Sequence, residues 1–452
     1  MNQVQNGFVK KLSPPQVLVI GFAATILAGA FLLSLPISTE NGQPLPFIDA
    51  LFTATSAVCL TGLVVVDTAT TFSTFGEMVI MILFQVGGIG IMTFATFFAL
   101  LVGKKIGIRE RLILREAFNK IDMQGVVRLV LAVVIMTLVI EGVGFIILSL
   151  RFIPEWGWGK GLYYAMFHSV SAFNNAGFDL FGDYEKFSSL VRYVGDPVVN
   201  LTIGGLFTLG GLGFIVILEL VEYRVTKRLS LHTKLVLTMT GILIFVGMVV
   251  ILAIEWRNPA TLGNLPWYDK LLASFFHSLT PRSAGFNTLS LADMYPATLF
   301  FTLFLMFVGA SPSSTGGGIK TTTLATILLA VWGMIRGREN VVTFRRRIPY
   351  NQVYKALTVT VASITVVLIV TMLLTITENP NNILTAMFET VSAFGTCGLS
   401  MGLTSELSLE GKILITITMF AGRLGPLTIA MALARSLKQP PYRYPEERPL
   451  IG

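Results

Sequence analysis

The chain is poor in charge. Of its 452 residues only 13% are Asp, Glu, Lys or Arg, and 53% are hydrophobic, whereas soluble domains carry roughly 25% charged residues. Lipid, rather than water, is the solvent such a chain suits. Cysteine is scarce too: Cys59 and Cys397 lie far apart and offer neither a disulfide framework nor a thiolate cage. The three histidines, His168, His232 and His277, lack metal-ligand spacing, which leaves metal or thiol catalysis little to build on. No paired aspartates or H-E-x-x-H stand in for an intramembrane enzyme. No G-x-G-x-x-G follows a strand pattern, so nucleotide control has to come from a separate protein. GGGIKT (Gly316–Thr321) superficially matches a phosphate loop, but Ile319 parts glycine from lysine and no strand precedes it.

What is present is a series of apolar runs near the ~20 residues that cross a bilayer. The first, Val17–Leu35, follows Lys10 and Lys11; it is long for a signal-peptide core and lacks a cleavage pattern, so it reads as a permanent span. The net charge of +8 collects in Lys104–Lys120, Arg224–Lys234 and Arg336–Lys355, each between apolar runs. That is the positive-inside pattern, and it argues against nucleic acid.

The chain repeats itself four times. FTATSAVCLTG (Phe52–Gly62), FHSVSAFNNAG (Phe167–Gly177), FHSLTPRSAG (Phe276–Gly285) and FETVSAFGTCG (Phe388–Gly398) align on their final glycine, the third being one residue shorter. Those glycines are 115, 108 and 113 residues apart. Each unit has a first span (Val17–Leu35, Val127–Leu150, Thr233–Ile254, Leu357–Leu374), a short amphipathic stretch, the glycine loop, and a second span (Met78–Val102, Val198–Leu220, Leu299–Met334, Ile413–Ala434). The pattern predicts an all-α integral membrane protein with eight transmembrane helices and four re-entrant half-helices in parallel repeats around a central pore. The repeats run 1–104, 105–224, 225–347 and 348–437, with a tail at 438–452. Both termini and the basic loops then lie in the cytoplasm, and the glycine loops face outward with Glu40, Asp49, Asp67, Asp179, Asp183, Glu185 and Glu378.

Segments such as Pro46–Ser56 and Asn381–Ala393 are too short to span, and fit half-helices. Backbone at that depth is tolerated where it lines a wet cavity. A glycine lets the chain turn its carbonyls to an axis, and four such loops make a carbonyl ring that can replace a cation's hydration shell. The ring takes Leu60, Thr61 and Gly62; Asn175, Ala176 and Gly177; Ser283, Ala284 and Gly285; and Thr396, Cys397 and Gly398. The second spans of units one and two read FQVGGIG (Phe84–Gly90) and FTLGGLG (Phe207–Gly213), small residues for close helix packing. Unit three reads FVGASPSSTGGGIK instead, and no helix should persist through Ser311–Gly318. Gly309, Ala310, Ser311, Pro312, Ser313, Ser314, Thr315, Gly316, Gly317, Gly318 and Lys320 thus form a loop that would obstruct a pore. Arg423, mid-span in unit four, is a costly charge at bilayer depth and so a functional candidate.

These loops, with GASPSSTGGGIKTTT and AGRLGPLT, resemble the superfamily of potassium transporters that includes TrkH, KtrB and the plant HKT proteins, over nearly the whole chain and most closely its KtrB branch. The resemblance implies potassium uptake through a four-glycine selectivity filter, stimulated by sodium and gated by the intramembrane loop. It also implies a homodimer under a cytosolic, KtrA-like ring of nucleotide-binding RCK subunits, with ATP or ADP bound only by that partner. No covalent cofactor is expected; potassium, with sodium as a second possibility, is the transported ion. A less selective sodium or ammonium transporter on the same scaffold is the alternative. His168 and His277 read as polar residues packed behind a filter, with pH sensing as the competing role. Arg282 reads as a brace directed away from the axis, Lys320 as a gating residue or a snorkelling one, and Glu141 as an intramembrane charge without an assigned partner. The tail PPYRYPEERPLIG and the basic loops are candidate docking surfaces.

Overall fold

A computed structural model describes residues 13–102, 107, 112–114, 125–183, 186–338, 340–379, 382–433 and 447. Most of the first basic loop, Lys10, Lys11, Glu185 and almost all of the tail lie outside them. Four sets of four helices follow one another: α1 (Pro14–Leu33), α2 (Phe47–Cys59), α3 (Thr74–Ile89) and α4 (Ile91–Leu101); α5 (Val126–Trp156), α6 (Trp158–Phe173), α7 (Pro197–Leu212) and α8 (Phe214–Thr226); α9 (Leu231–Glu255), α10 (Trp267–Leu279), α11 (Pro296–Phe307) and α12 (Thr321–Ile335); α13 (Tyr350–Glu378), α14 (Ile383–Gly395), α15 (Leu409–Leu424) and α16 (Pro426–Leu433).

Local chemistry sets these boundaries. Ser13 and Gln16 form a capping box ahead of Pro14. Ser73, Asp196 and Ser408 accept from backbone N–H groups at the starts of α3, α7 and α15. The long first helices α1, α5, α9 and α13 are apolar enough to cross a membrane. Their outer faces suit lipid: α1 exposes Leu27 and Phe31 while it buries Ile26 and Ala30. The second helix of each set is short. α2, α10 and α14 have 13 residues each, about 20 Å at 1.5 Å per residue and less than the ~30 Å hydrocarbon core.

Packing joins the sets into a closed circuit. α3 packs on α6, α7 on α10, α11 on α14, and α15 returns to α2. The repeat phenylalanines Phe52, Phe167, Phe276 and Phe388 are completely buried. They serve these seams: Phe84 meets Phe167 edge-to-face at 5.5 Å, and Phe207 meets Phe276 at 5.6 Å. Lys412 of α15 pairs with Asp49 of α2 at 2.6 Å where the circuit closes.

One expectation needs correction. The second spans of units one, two and four are not continuous helices. α3 and α4 meet at a 96° bend, α7 and α8 at 97°. Gly90, Gly213 and Gly425, at the three breaks, have φ of +89°, +97° and +80°. The motifs V-G-G-I-G, L-G-G-L-G and A-G-R-L-G therefore combine close packing with a helix stop, because only glycine takes that backbone without strain. By length and apolarity, four helices among the described residues qualify as spans, and six if each bent pair counts as one. Beside the helices stands one short hairpin, in which β1 (Val342–Thr343) and β2 (Arg346–Arg347) pair antiparallel in the third basic loop. Phe344 and Arg345 between them have φ of +45° and +60°, the primed turn that a two-residue hairpin needs.

Candidate functional site: a ring of four glycine loops

Each half-helix ends at a loop of one geometry. Two residues before the glycine the backbone is left-handed, with φ of +60° at Leu60, +57° at Asn175, +69° at Ser283 and +46° at Thr396. The glycines are positive as well: +82° at Gly62, +73° at Gly177, +81° at Gly285 and +88° at Gly398. Thr61, Ala176 and Cys397 each donate their N–H to the carbonyl five residues back, on Ser56, Ser171 and Ser392. In the shortened third loop Ala284 N–H reaches Thr280 O, four residues back, at 3.1 Å, so the deletion is absorbed before the glycine.

The four loops meet one another. A methyl group added at Gly62 would lie 2.7 Å from Ala176 O, one at Gly177 3.0 Å from Ala284 O, one at Gly285 2.9 Å from Cys397 O, and one at Gly398 2.3 Å from Thr61 O. Each glycine is thus seated against the carbonyl preceding the next glycine, and the fourth closes on the first. Here glycine is required twice, by its φ and by the neighbouring carbonyl.

Behind the ring stands a layer of buried polar groups. Ser171 and Thr280 donate their hydroxyls to Phe178 O and Phe286 O, just beyond their glycines. His168 Nε2 accepts from Leu180 N at 3.3 Å, so Nδ1 carries the proton that bonds Tyr164 O at 2.7 Å. The neutral ring is a brace for the loop. Glu389 does the same in unit four, accepting from Met401 N at 2.9 Å and from Ser400 and Thr404. His277 Nε2 has no hydrogen-bond partner among the described residues. Arg282 is buried and reaches outward to Thr240 on α9 at 3.2 Å. Glu141 acquires partners: Gln85 at 3.1 Å and Asn174 at 2.9 Å, from a second span and a half-helix. Those residues are 56 and 33 positions away, beyond any local sequence signal.

The third second-span opens between Phe307 and Thr321, where the sequence breaks its own helix. The loop is stitched on three sides. Ser311 N and Thr315 N donate to Gly211 O and Gly210 O, and Phe214 N donates to Ser313 O. Thr315 Oγ1 donates to Asn175 Oδ1 at 2.7 Å. Gly317 N donates to Thr396 Oγ1 at 2.9 Å and Ser283 Oγ at 3.2 Å. The left-handed residues of loops two, three and four therefore hold this segment against the ring; Leu60 offers no such group. Stacking the repeats on their glycines shows the signal, Leu-Asn-Ser-Thr at one position.

Arg423 occupies the place of Gly88 and Gly211 in the aligned second spans, in the last turn before a break rather than mid-helix. Its guanidinium donates to Thr315 O and, at 2.6 Å, to Gly87 O. Lys320 caps α12 and folds back onto Gly316 O at 2.7 Å.

Comparison with known proteins follows this geometry. Residues 18–443 match the TrkH model, described as a cation transport protein. The chain is 49% identical over 442 residues to the Ktr system potassium uptake protein B of Bacillus subtilis, covering 98% of this chain and 97% of that one. It is 39% identical over 448 residues to the potassium/sodium uptake protein NtpJ of Enterococcus hirae, covering 98% of each. The crystal structure of the potassium transporter TrkH from Vibrio parahaemolyticus superposes with a TM-score of 0.72 at 18% identity, over 94% of this chain and 86% of that one.

Proposed function

We propose that this chain, which belongs to the TrkH family of cation transport proteins, takes up potassium through its four glycine loops, with 309–320 as the gate. The observation that carries the reading is the closed circuit in which each glycine abuts the carbonyl before the next. Four half-helices end at that circuit, and their C-terminal dipole ends favour a cation. A ring of backbone carbonyls can replace potassium's water without a charged side chain. The loop hung beneath it, tied to Asn175, Ser283 and Thr396, obstructs the path, and Arg423 adds a positive charge there.

In this reading the four units are parallel repeats around the pore, with boundaries at 104, 224, 347 and 437 and both termini in the cytoplasm. The protein is a transporter and not an enzyme. The Bacillus subtilis relative is named as a protein of a Ktr system, which supports a homodimer working with a separate KtrA-like, RCK-type subunit that binds ATP or ADP. Stimulation by sodium belongs to this reading; a less selective transporter of sodium or ammonium on the same scaffold is the second, its sodium form favoured by the name of the Enterococcus hirae relative.

The test is potassium and sodium flux into proteoliposomes for the intact protein and for one lacking 311–317. The expected result is faster flux with potassium preference retained. Unchanged or abolished flux from a folded deletion refutes the gate; equal potassium and sodium rates in both refute potassium selectivity.

A further inference from the structure

On the side of the loop that carries none of the twelve ring residues lies a cavity of about 480 Å³, within the roughly 300–1,000 Å³ of small-ligand sites. Three cations line it: Lys320 at the end of the loop, Lys355 on α13, and Arg423. Among the described residues that line it there is no carboxylate. None of the three forms an ion pair among the described residues; Lys320 and Arg423 bond only to neutral backbone carbonyls. Hydroxyls of Ser313, Ser314 and Thr322 share the walls, and Leu18 and Phe22 of α1 supply an apolar side. A barrier to cations accounts for Arg423, but not for Lys355 outside the loop or for the absence of a counter-charge among the described lining residues.

We propose that this cavity binds a phosphate-class anion between Lys320, Lys355 and Arg423, either free phosphate or the headgroup of an anionic lipid whose chain lies along α1. Charge-assisted bonds to phosphate are stronger than those to a neutral carbonyl. An occupant therefore competes with Thr315 O and Gly87 O for Arg423 and loosens the loop. That consequence rests on the gate reading above; the binding does not.

The test uses the full chain, stripped of lipid in a neutral detergent. Native mass spectrometry compares retention of phosphatidylglycerol with phosphatidylcholine, and thermal unfolding compares inorganic phosphate with chloride at matched ionic strength. Expected is preferential phosphatidylglycerol retention, which identifies the lipid source, or a phosphate-specific rise in unfolding temperature, which identifies the free ion. In Lys355→Gln the affinity should fall about tenfold, and Lys355→Arg should restore it. Equal retention of both lipids together with superimposable phosphate and chloride curves overturns the site. Flux into phosphatidylglycerol vesicles should exceed that into phosphatidylcholine vesicles only while 311–317 is present. Equal stimulation of the deletion overturns the link to the loop.

Discussion

Thr315→Val tests the tie between loop and ring with one lost hydroxyl. Thr315 and Asn175 are both buried, and the bond between them is 2.7 Å long. Asn175 keeps its second bond, Nδ2 to Ser283 O at 2.7 Å, so the ring itself should stand. A net hydrogen bond contributes about 1 kcal/mol, and an acceptor left dry costs about 1–3 kcal/mol. If the bond exists only with the loop in place, the closed arrangement loses about 1–3 kcal/mol, or roughly five- to 150-fold in its equilibrium. Initial potassium uptake by proteoliposomes, followed with a potassium-sensitive dye, should rise by such a factor up to the ceiling set by the 311–317 deletion. Thr315→Ser should behave as the parent. An unchanged rate in folded Thr315→Val, or a rise accompanied by loss of potassium preference, refutes the reasoning.

Gly210→Ala should abolish folded protein in size-exclusion chromatography, since its methyl would sit 2.0 Å from Phe173 O, while Gly205→Ala, with nothing within 4 Å, should be silent. Glu255 is completely buried and accepts from Asn258, Thr261, Tyr295 N and Thr298. Glu255→Ala should cost about 3 kcal/mol or more in denaturant unfolding, and Glu255→Gln less; a change within about 0.5 kcal/mol for Ala would be the failing result. Asp179, in the loop beyond the second glycine, has its carboxyl pushed up to about 7 by loss of hydration and the nearby Asp67 charge, against a bond from Phe181 N–H. The folded state then binds the proton more tightly than the unfolded chain, so stability should decline as pH rises from about 4 to 7. Asp179→Asn should flatten that slope in a thermal-unfolding series, and an identical slope in both proteins would exclude Asp179 as its source.

The repeat was legible because it is written in residue types with few alternatives. A buried phenylalanine, a small polar pair and a terminal glycine recur at even spacing, and Pro312 with three glycines cannot hold a helix. What stayed hidden was decided at a distance. V-G-G-I-G reads equally as a packing face or a stop; the choice is made by Val58 O, against which a methyl at Gly87 would lie 2.2 Å away, and by the bend at Gly90. Glu141 found partners on two other helices, and Arg423 found carbonyls of units one and three. None of those pairings leaves a trace in local periodicity.

The substitution of Arg423 for a glycine has a consequence for how the repeats can differ. In a ring assembled from four separate copies, any change appears four times, and an arginine at every such position would crowd one axis with like charges. Written four times along one chain, the unit can specialise. In one unit the second helix opens into a loop, in another an arginine that bonds the loop stands where units one and two have glycine, and a third presents the bare carbonyl of Gly87 to that arginine. Carrying the four units on one chain thus lets the loop and the side chain that bonds it sit on different walls of the same ring.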